Sequence, residues 1–133
     1  MIIDASVAVS WLIETPFSTN SRKLQPPARR GPALLLVETA NVLLKYHRFA
    51  KISLEEIEAA LRQLRVVVPD LTEDRALLPM AFGIAARSSH KIYDCLYLAL
   101  ALERGEPLAT ADKRLAALAQ KLNIDTQLIG PEP

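Results

Sequence analysis

One cysteine, Cys95, stands in the 133 residues. That excludes an internal disulfide framework and fits a reducing compartment. Long apolar runs are missing too. The longest charge-free stretches, such as Ala5–Ile13 and Gly31–Val37, fall well short of the roughly 18–20 residues that a membrane span needs. No basic segment precedes the apolar start, and Asp4 interrupts it, so no signal peptide is read and a cytoplasmic protein without membrane contact is expected. There is no internal repeat and no low-complexity tract. Nor is there a strong charge of one sign: 16 Lys and Arg oppose 15 Asp and Glu, for a net charge of +1. Composition alone therefore does not call for nucleic acid. Its distribution says more. If four acids converge in one pocket, 11 remain against 16 basic groups, a basic rim suited to a polyanion.

What is present is half hydrophobic and 23% charged, enough for one domain over residues 1–133 with a real core. Its centre is Ile92–Leu102. This stretch is apolar on every helical face except at Asp94, and a helix of that kind lies inside a domain. A bare carboxylate there is costly unless a cation meets it. Either His90 or Lys91 turns in to pair with Asp94, or Asp94 faces a cleft that holds a cation.

Other isolated acids accompany it. Met1-Ile2-Ile3 reads as a strand ended by Asp4, and Ala5–Ile13 as a helix with Val7, Trp11 and Ser10 on one face. Open α/β sheets gather ligands at the carboxyl ends of strands, but Asp is also a common N-cap, and both readings stand. Glu14–Gly31 reads as a proline-broken loop with a helical turn over Ser21–Leu24; Arg22, Lys23, Arg29 and Arg30 make it the most basic region, read as a solvated loop ahead of an RNA-binding patch. Pro32–Phe49 is a helix with Leu36, Ala40, Leu43 and Leu44 inward. Glu38 is the only charge in Ala33–Leu44, with Asn41 on its face. Ser53 and Glu56 form a capping box for a second helix, Leu54–Arg65, with Ile57, Leu61 and Leu64 inward. The two make an αα-hairpin.

The β-branched run Val66-Val67-Val68 before Pro69 predicts a buried strand. Thr72 is expected to cap a helical stretch to Arg87, kinked or restarted at Pro79, with Gly83 at a close helix contact. Ser88-Ser89 is expected to cap the central helix and Gly105 to end it. Pro107–Thr110 is a strand, followed by Asp112 and a helix Lys113–Leu122 with Leu115, Leu118 and Leu122 inward. Asp112 thus repeats the arrangement of Asp4. Thr126–Ile129 is a last strand. This order gives an α/β sandwich around a largely parallel sheet.

Four clustered carboxylates would raise one another's pKa values unless a hard divalent cation joined them. Ser6 and Thr110, two positions from Asp4 and Asp112, are placed to orient them. Rival constellations fit less well. A receiver-like phospho-acceptor domain lacks its acidic pair, and a dehalogenase-like phosphatase wants an acid where Ser6 stands. Cys95 is read as a buried, inert thiol, and no turn supports a Ser89–His90–Asp94 triad.

Four segments carry a resemblance: Met1-Ile2-Ile3-Asp4-Ala5-Ser6-Val7, Pro32–Leu43 with Glu38 and Asn41, Ile92–Ala101 with Asp94, and Leu108–Leu115 with Thr110 and Asp112. In order and approximate spacing the chain resembles the PIN-domain nucleases, specifically the VapC-type toxins of toxin–antitoxin pairs. The resemblance implies a PIN-like three-layer sandwich with five parallel strands in the order 3-2-1-4-5, and an endoribonuclease dependent on Mg²⁺ or Mn²⁺. It implies Asp4 and Asp94 as the main metal ligands, with Glu38 and Asp112 completing the acidic set. It further implies a homodimer, an RNA substrate and a cognate antitoxin near Trp11 and the Leu36–Leu64 hairpin, with DNA reached only through that antitoxin. Thr15–Gly31, where the family carries its second strand, is a poor strand by composition. The alternative of another class is a silent PIN scaffold that only binds protein or nucleic acid.

Overall fold

The computed structural model describes residues 1–133. Five short strands, β1 (Ile2–Ile3), β2 (Arg30–Pro32), β3 (Asp70–Thr72), β4 (Leu108–Thr110) and β5 (Thr126–Leu128), form one sheet in the order β3-β2-β1-β4-β5. Every pairing is parallel. The central strand is the most enclosed: Ile2 and Ile3 are fully buried, as are Leu108, Ala109 and Thr110 beside them. Strands buried on both faces need no polar alternation, which is why these segments read as continuous apolar runs.

Seven helices connect and cover the strands: α1 (Ala5–Leu12), α2 (Ser18–Ser21), α3 (Leu34–Ala50), α4 (Leu54–Val67), α5 (Asp74–Ser88), α6 (Ile92–Arg104) and α7 (Lys113–Lys121). Helix α6 is the centrepiece. Cys95 to Ala101 are buried without a break, and Gly105 closes the helix at φ +63° with its N–H bonded to the carbonyls of Ala101 and Leu102. The αα-hairpin of α3 and α4 meets α1 in a smaller core of Val9, Ile13, Leu43, Ile57 and Ala60.

Several local expectations are corrected. Val66 and Val67 are not a strand; they complete the last turn of α4, and buried Val68 is its C-cap. The strand begins beyond Pro69, at Asp70, where Arg30 of β2 meets Asp70 in both register and charge. Thr72 belongs to that strand, so α5 starts after Glu73 and runs unbroken through Pro79. Ser88 ends α5 with its hydroxyl donating to the Ile84 carbonyl (2.7 Å), and Lys91, not Ser88-Ser89, is the N-cap of α6. The poor strand of the Thr15–Gly31 region does form, as Arg30-Gly31-Pro32. Gly31 packs so closely on α3 that a Cβ there would stand 2.8 Å from Leu35 Cδ2. The helical turn lies at Ser18–Ser21 rather than Ser21–Leu24.

The inward faces also shift by a residue. Helix α3 buries Leu35, Thr39 and Leu43, while Leu44 is exposed. Helix α4 buries Ile57, Ala60 and Leu64, leaving Leu61 out. Helix α7 buries Leu115, Ala116 and Ala119, with Leu118 and Leu122 only partly covered. Gly83 marks no close helix crossing; the atom nearest its missing side chain is Nη1 of Arg87, one turn on in the same helix.

The enclosure of α6 predicts an asymmetric response to truncation. Leu98→Ala removes a fully buried side chain and is expected to cost about 2–5 kcal/mol. Leu102→Ala, on the same helix but 39% exposed, is expected to cost less than half as much. Urea denaturation of the two variants checks this.

Candidate active site

The four carboxylates singled out in the sequence come from three strand or helix beginnings and one helix face. Asp4 follows β1 and Asp112 follows β4, adjacent parallel strands. Each acts as the N-cap of the next helix. Asp4 Oδ1 accepts from the Val7 N–H (3.1 Å), and Asp112 Oδ1 accepts from the N–H groups of Arg114 (2.9 Å) and Leu115 (3.3 Å). The capping and site readings of these residues are therefore compatible, because a cap uses one carboxylate oxygen.

Asp4 is enclosed, with 6% of its surface exposed. Its second donor to Oδ1 is the Ser6 hydroxyl at 2.6 Å, and Oδ2 accepts from the Thr110 hydroxyl at 2.5 Å. Both hydroxyls are held from the far side. Ser6 Oγ accepts from the Ala111 N–H (2.9 Å), and Thr110 Oγ1 from the Asp112 N–H (2.9 Å). Each hydroxyl therefore directs its single proton at Asp4 and ties that carboxylate to the turn carrying Asp112.

Glu38, on α3, is partly buried and accepts from the Tyr97 hydroxyl at 2.7 Å. Tyr97 reaches it from the buried face of α6. Asp94, in the first turn of α6, has Oδ2 at 3.0 Å from His90 Nε2. Of the two partners considered for Asp94, His90 is the one that turns in. Asp94 also lines a cleft of about 210 Å³ together with Asp112, Ser89, His90, Lys91 and Arg114, a wall without one apolar side chain. Asn41 does not join the group. It is exposed on α3 and contributes no hydrogen bond to any of the acids.

The electrostatics tie the acids to one region. Burial pushes the Asp4 carboxyl up to about 6 against the pull of its three donors, and the charge of Asp112 adds to the rise. Burial also raises Glu38, followed by the charges of Asp94 and Asp74, while Lys91 opposes them. Tyr97 is driven well above its ordinary range, first by burial and then by Glu38, with Asp4 and Asp94 contributing. One buried phenol thus senses three of the four acids.

No Lys or Arg forms an ion pair with any of the four; His90 is the sole basic partner, and it serves Asp94. As the side chains stand, no three of the chain's Asp, Glu, His and Cys groups are spaced to hold one ion. Their rotamers are committed to Tyr97, His90 and the two hydroxyls. The donor chemistry nonetheless fits a hard divalent cation: the donors are carboxylate oxygens, negative charge gathers in one region, and the most buried acid has no compensating cation.

Asp74 is a participant that the sequence did not single out. Its Oδ1 accepts from the Leu34 N–H (3.1 Å) at the start of α3, and its charge raises Glu38. It stands in the first turn of α5, where an acid is common. Tyr97 was likewise hidden among the apolar residues of α6.

Residues 1–121 match the model of the PIN domain family. The chain is 30% identical over 118 residues to Ribonuclease VapC3 of Mycobacterium tuberculosis, in two strains, covering 87% of this chain and 85% of that protein. Among solved structures it is similar to PAE2754 from Pyrobaculum aerophilum, with a TM-score of 0.71 and 19% identity over 94% of this chain and 81% of that one. It is also similar to the Mycobacterium tuberculosis toxin VapC20, described as cleaving the sarcin-ricin loop. There the TM-score is 0.69 and the identity 17%, over 87% of this chain and 92% of that one. The two structures share the fold.

Two outcomes test the geometry. Asp4 has a folded pKa above its unfolded value, so its protonated form favours folding. That contribution is complete below about pH 4 and is lost as the pH rises through about 6. Asp4→Asn keeps an acceptor oxygen and never charges. In chelator it is expected to exceed the parent in stability above that range, by up to about 3 kcal/mol, and to match it near pH 4; denaturation at both pH values decides. Tyr97→Phe removes the donor that lowers Glu38, so an NMR titration is expected to find the Glu38 carboxyl higher still, with about 1–2 kcal/mol of stability lost.

Proposed function

The chain belongs to the PIN-domain family and, within it, to the VapC ribonucleases, and from that premise we propose that it is a metal-dependent endoribonuclease, the toxin of a toxin–antitoxin pair. The observation that carries the reading is Asp4. An enclosed carboxylate with no cation of its own, fastened by two hydroxyls to the turn of a second acid, is a costly arrangement for a fold to keep without use. The whole of residues 1–133 acts as one PIN-like domain in this reading, in the cytoplasm.

Asp4 and Asp94 are the main ligands of a Mg²⁺ or Mn²⁺ ion, and Glu38 and Asp112 complete the set. The bound ion supplies charge stabilisation at the phosphoryl group and a more acidic water. The chain's own residues do the rest. Ser6 and Thr110 fix the rotamer of Asp4 by donating to both of its oxygens. Tyr97 does the same for Glu38. Asp112 spends Oδ1 on capping α7 and leaves Oδ2 to orient water in the cleft. The reaction is hydrolysis: the water oxygen joins phosphorus, the bond to one ribose oxygen breaks, and that oxygen takes the proton.

The partners follow the family. The hairpin carries uncovered apolar side chains, Val37 (68% exposed), Phe49 (83%) and Val66 (67%). Such surface supports contact with an antitoxin there and near Trp11, and a homodimer. Contact with DNA is reached only through the antitoxin.

Cleavage of a structured RNA pool with Mn²⁺, Mg²⁺ or chelator is the test, with Asp94→Asn alongside. Metal-dependent cutting is expected, reduced by about 100-fold or more in the variant. Thermal melting under the same metal titration is expected to rise, by about 2.7 kcal/mol of stability at a hundredfold excess over Kd. A metal-raised melt with no cleavage of any RNA would favour the silent, binding-only scaffold, and a melt that no metal moves would sink the metal site itself.

A further inference from the structure

The polar cleft at Asp94 and Asp112 does not end there. His90 and Arg114 also line a second, larger cavity of about 570 Å³ between the end of α5 and α7. Its charged walls are Arg87 from α5 and Arg114 and Lys121 from α7, and it contains no Asp or Glu. A cleft that carries both acids therefore adjoins a cavity whose charged walls are all basic, and the two share His90 and Arg114. Arg87, Arg114 and Lys121 have no ion-pair partners and are free to meet an anion. Arg114 and Lys121 lie two turns apart on α7, about 10 Å along its axis, a span of a very short stretch of single strand. Arg87 lies back along α5 over Gly83, where a side-chain carbon would crowd its guanidinium at 3.2 Å. The absence of a side chain at Gly83 leaves that place to the arginine.

We infer that this groove holds the single-stranded RNA flanking the cleaved bond, with backbone phosphates on Arg87, Arg114 and Lys121. The inference rests on the ribonuclease reading above and adds to it the path of the substrate. Recognition here is by phosphate and not by base. The remaining walls are Ser88, His90 and the aliphatic Ile84, Ala117, Leu118 and Leu122; there is no Phe, Tyr or Trp ring to stack on a base, and the one imidazole, His90, is held by Asp94. Groove affinity is therefore steeply salt-dependent and tolerant of sequence. Discrimination between RNA targets has to come from elsewhere, from RNA shape or from a second copy of the chain. Arg114 stands at the junction, where it shares the cleft with both Asp94 and Asp112, and serves as the positioning residue nearest the bond to be cut.

The test uses fluorescence anisotropy of a short single-stranded RNA of random sequence, in chelator, over a range of salt. In Arg87→Glu/Lys121→Glu the affinity is expected to fall by at least about tenfold, and the log–log salt slope to shrink by about 1.4, the share of two phosphates on a single strand. Both side chains are exposed, so the melting temperature is expected to hold. The uncharged Arg87→Gln/Lys121→Gln pair should give a smaller loss in the same direction. A control pair on α4, Arg62→Glu/Arg65→Glu, should change affinity by no more than about twofold. Unchanged affinity and slope in the groove variants, while the parent cleaves RNA with metal, would overturn the groove and leave the ribonuclease standing. Lost binding in the variants with no cleavage by the parent under any metal would uphold the groove and remove the ribonuclease. A parent that fails to bind the RNA at all would overturn the groove, and the metal-dependent cleavage assay alone would then decide the ribonuclease.

Discussion

A carboxylate enclosed where two parallel strands end is the constraint around which the rest of this molecule is arranged. Asp4 sits at the carboxyl end of the most buried strand, and its burial raises its pKa to about 6. Water cannot screen it, so the protein surrounds it with donors that carry no charge: two hydroxyls and one backbone N–H. Those hydroxyls are in turn oriented by N–H groups of the turn after β4. The parallel pairing of β1 with β4 is what brings the two turns together. The sheet order and the site are thus one fact: move β4 from the side of β1, and Asp4 loses one donor and Asp112 its place.

The two ends of the sheet treat charge in opposite ways. At the amino ends, Arg30 meets Glu106 at 2.7 Å and also Asp70, and Arg104 adds a 3.5 Å contact to Glu106. Opposite charges answer one another there, and the network fastens edge strand β3 to β2. At the carboxyl ends, Asp4, Glu38 and Asp112 have no cationic partner, although Lys91 and Arg114 stand nearby in the cleft wall. A fold optimised for stability alone would pair these groups or replace them with apolar side chains. Keeping the acids unpaired and the cations close but separate suits a cation within and a polyanion outside. The same division explains why α6 tolerates Asp94 in its first turn. A carboxylate near a helix N-terminus is favoured by the helix dipole, and that end of α6 opens to the cleft while Cys95 to Ala101 are sealed.

Much of this was legible in the chain itself. Strand, acid and helix in immediate succession at Asp4 and again at Asp112 marked both turns, and the isolation of Glu38 and Asp94 on apolar helices marked the other two. The parallel order 3-2-1-4-5 followed from the family resemblance that these segments carry, and the sheet has that order. The failures have physical reasons. Val66–Val68 looked like a strand because β-branching favours extended chain. Helix α4 nevertheless continued through Val67, and the edge strand formed where Arg30 had a charge to meet. In α4 and α7 Ala took core positions assigned to Leu, and in α3 the inward face turned back by one residue, from Leu36 and Ala40 to Leu35 and Thr39. Helical spacing put Asn41 on the face of Glu38; its side chain is exposed there and makes no hydrogen bond to the acids. Tyr97 and Asp74 escaped because their roles are tertiary: no spacing along the chain places the phenol on Glu38 or the Asp74 carboxylate on the first N–H of α3.

The ambiguity between cap and ligand at Asp4 and Asp112 is itself part of the design of the site. A capping carboxylate has its rotamer set by the helix it begins, so its second oxygen points in a fixed direction without further restraint. At Asp112 that second oxygen is left to the cleft. At Asp4 it is held by Thr110, the residue that also accepts the Asp112 N–H. Helix formation, strand pairing and carboxylate placement are thus driven by the same few hydrogen bonds. An acid that merely lay near the sheet end could rotate away from its neighbours when they charged. These two cannot do so without uncapping α1 or α7, and the like-charge contribution of Asp112 to the raised pKa of Asp4 is therefore built into the fold.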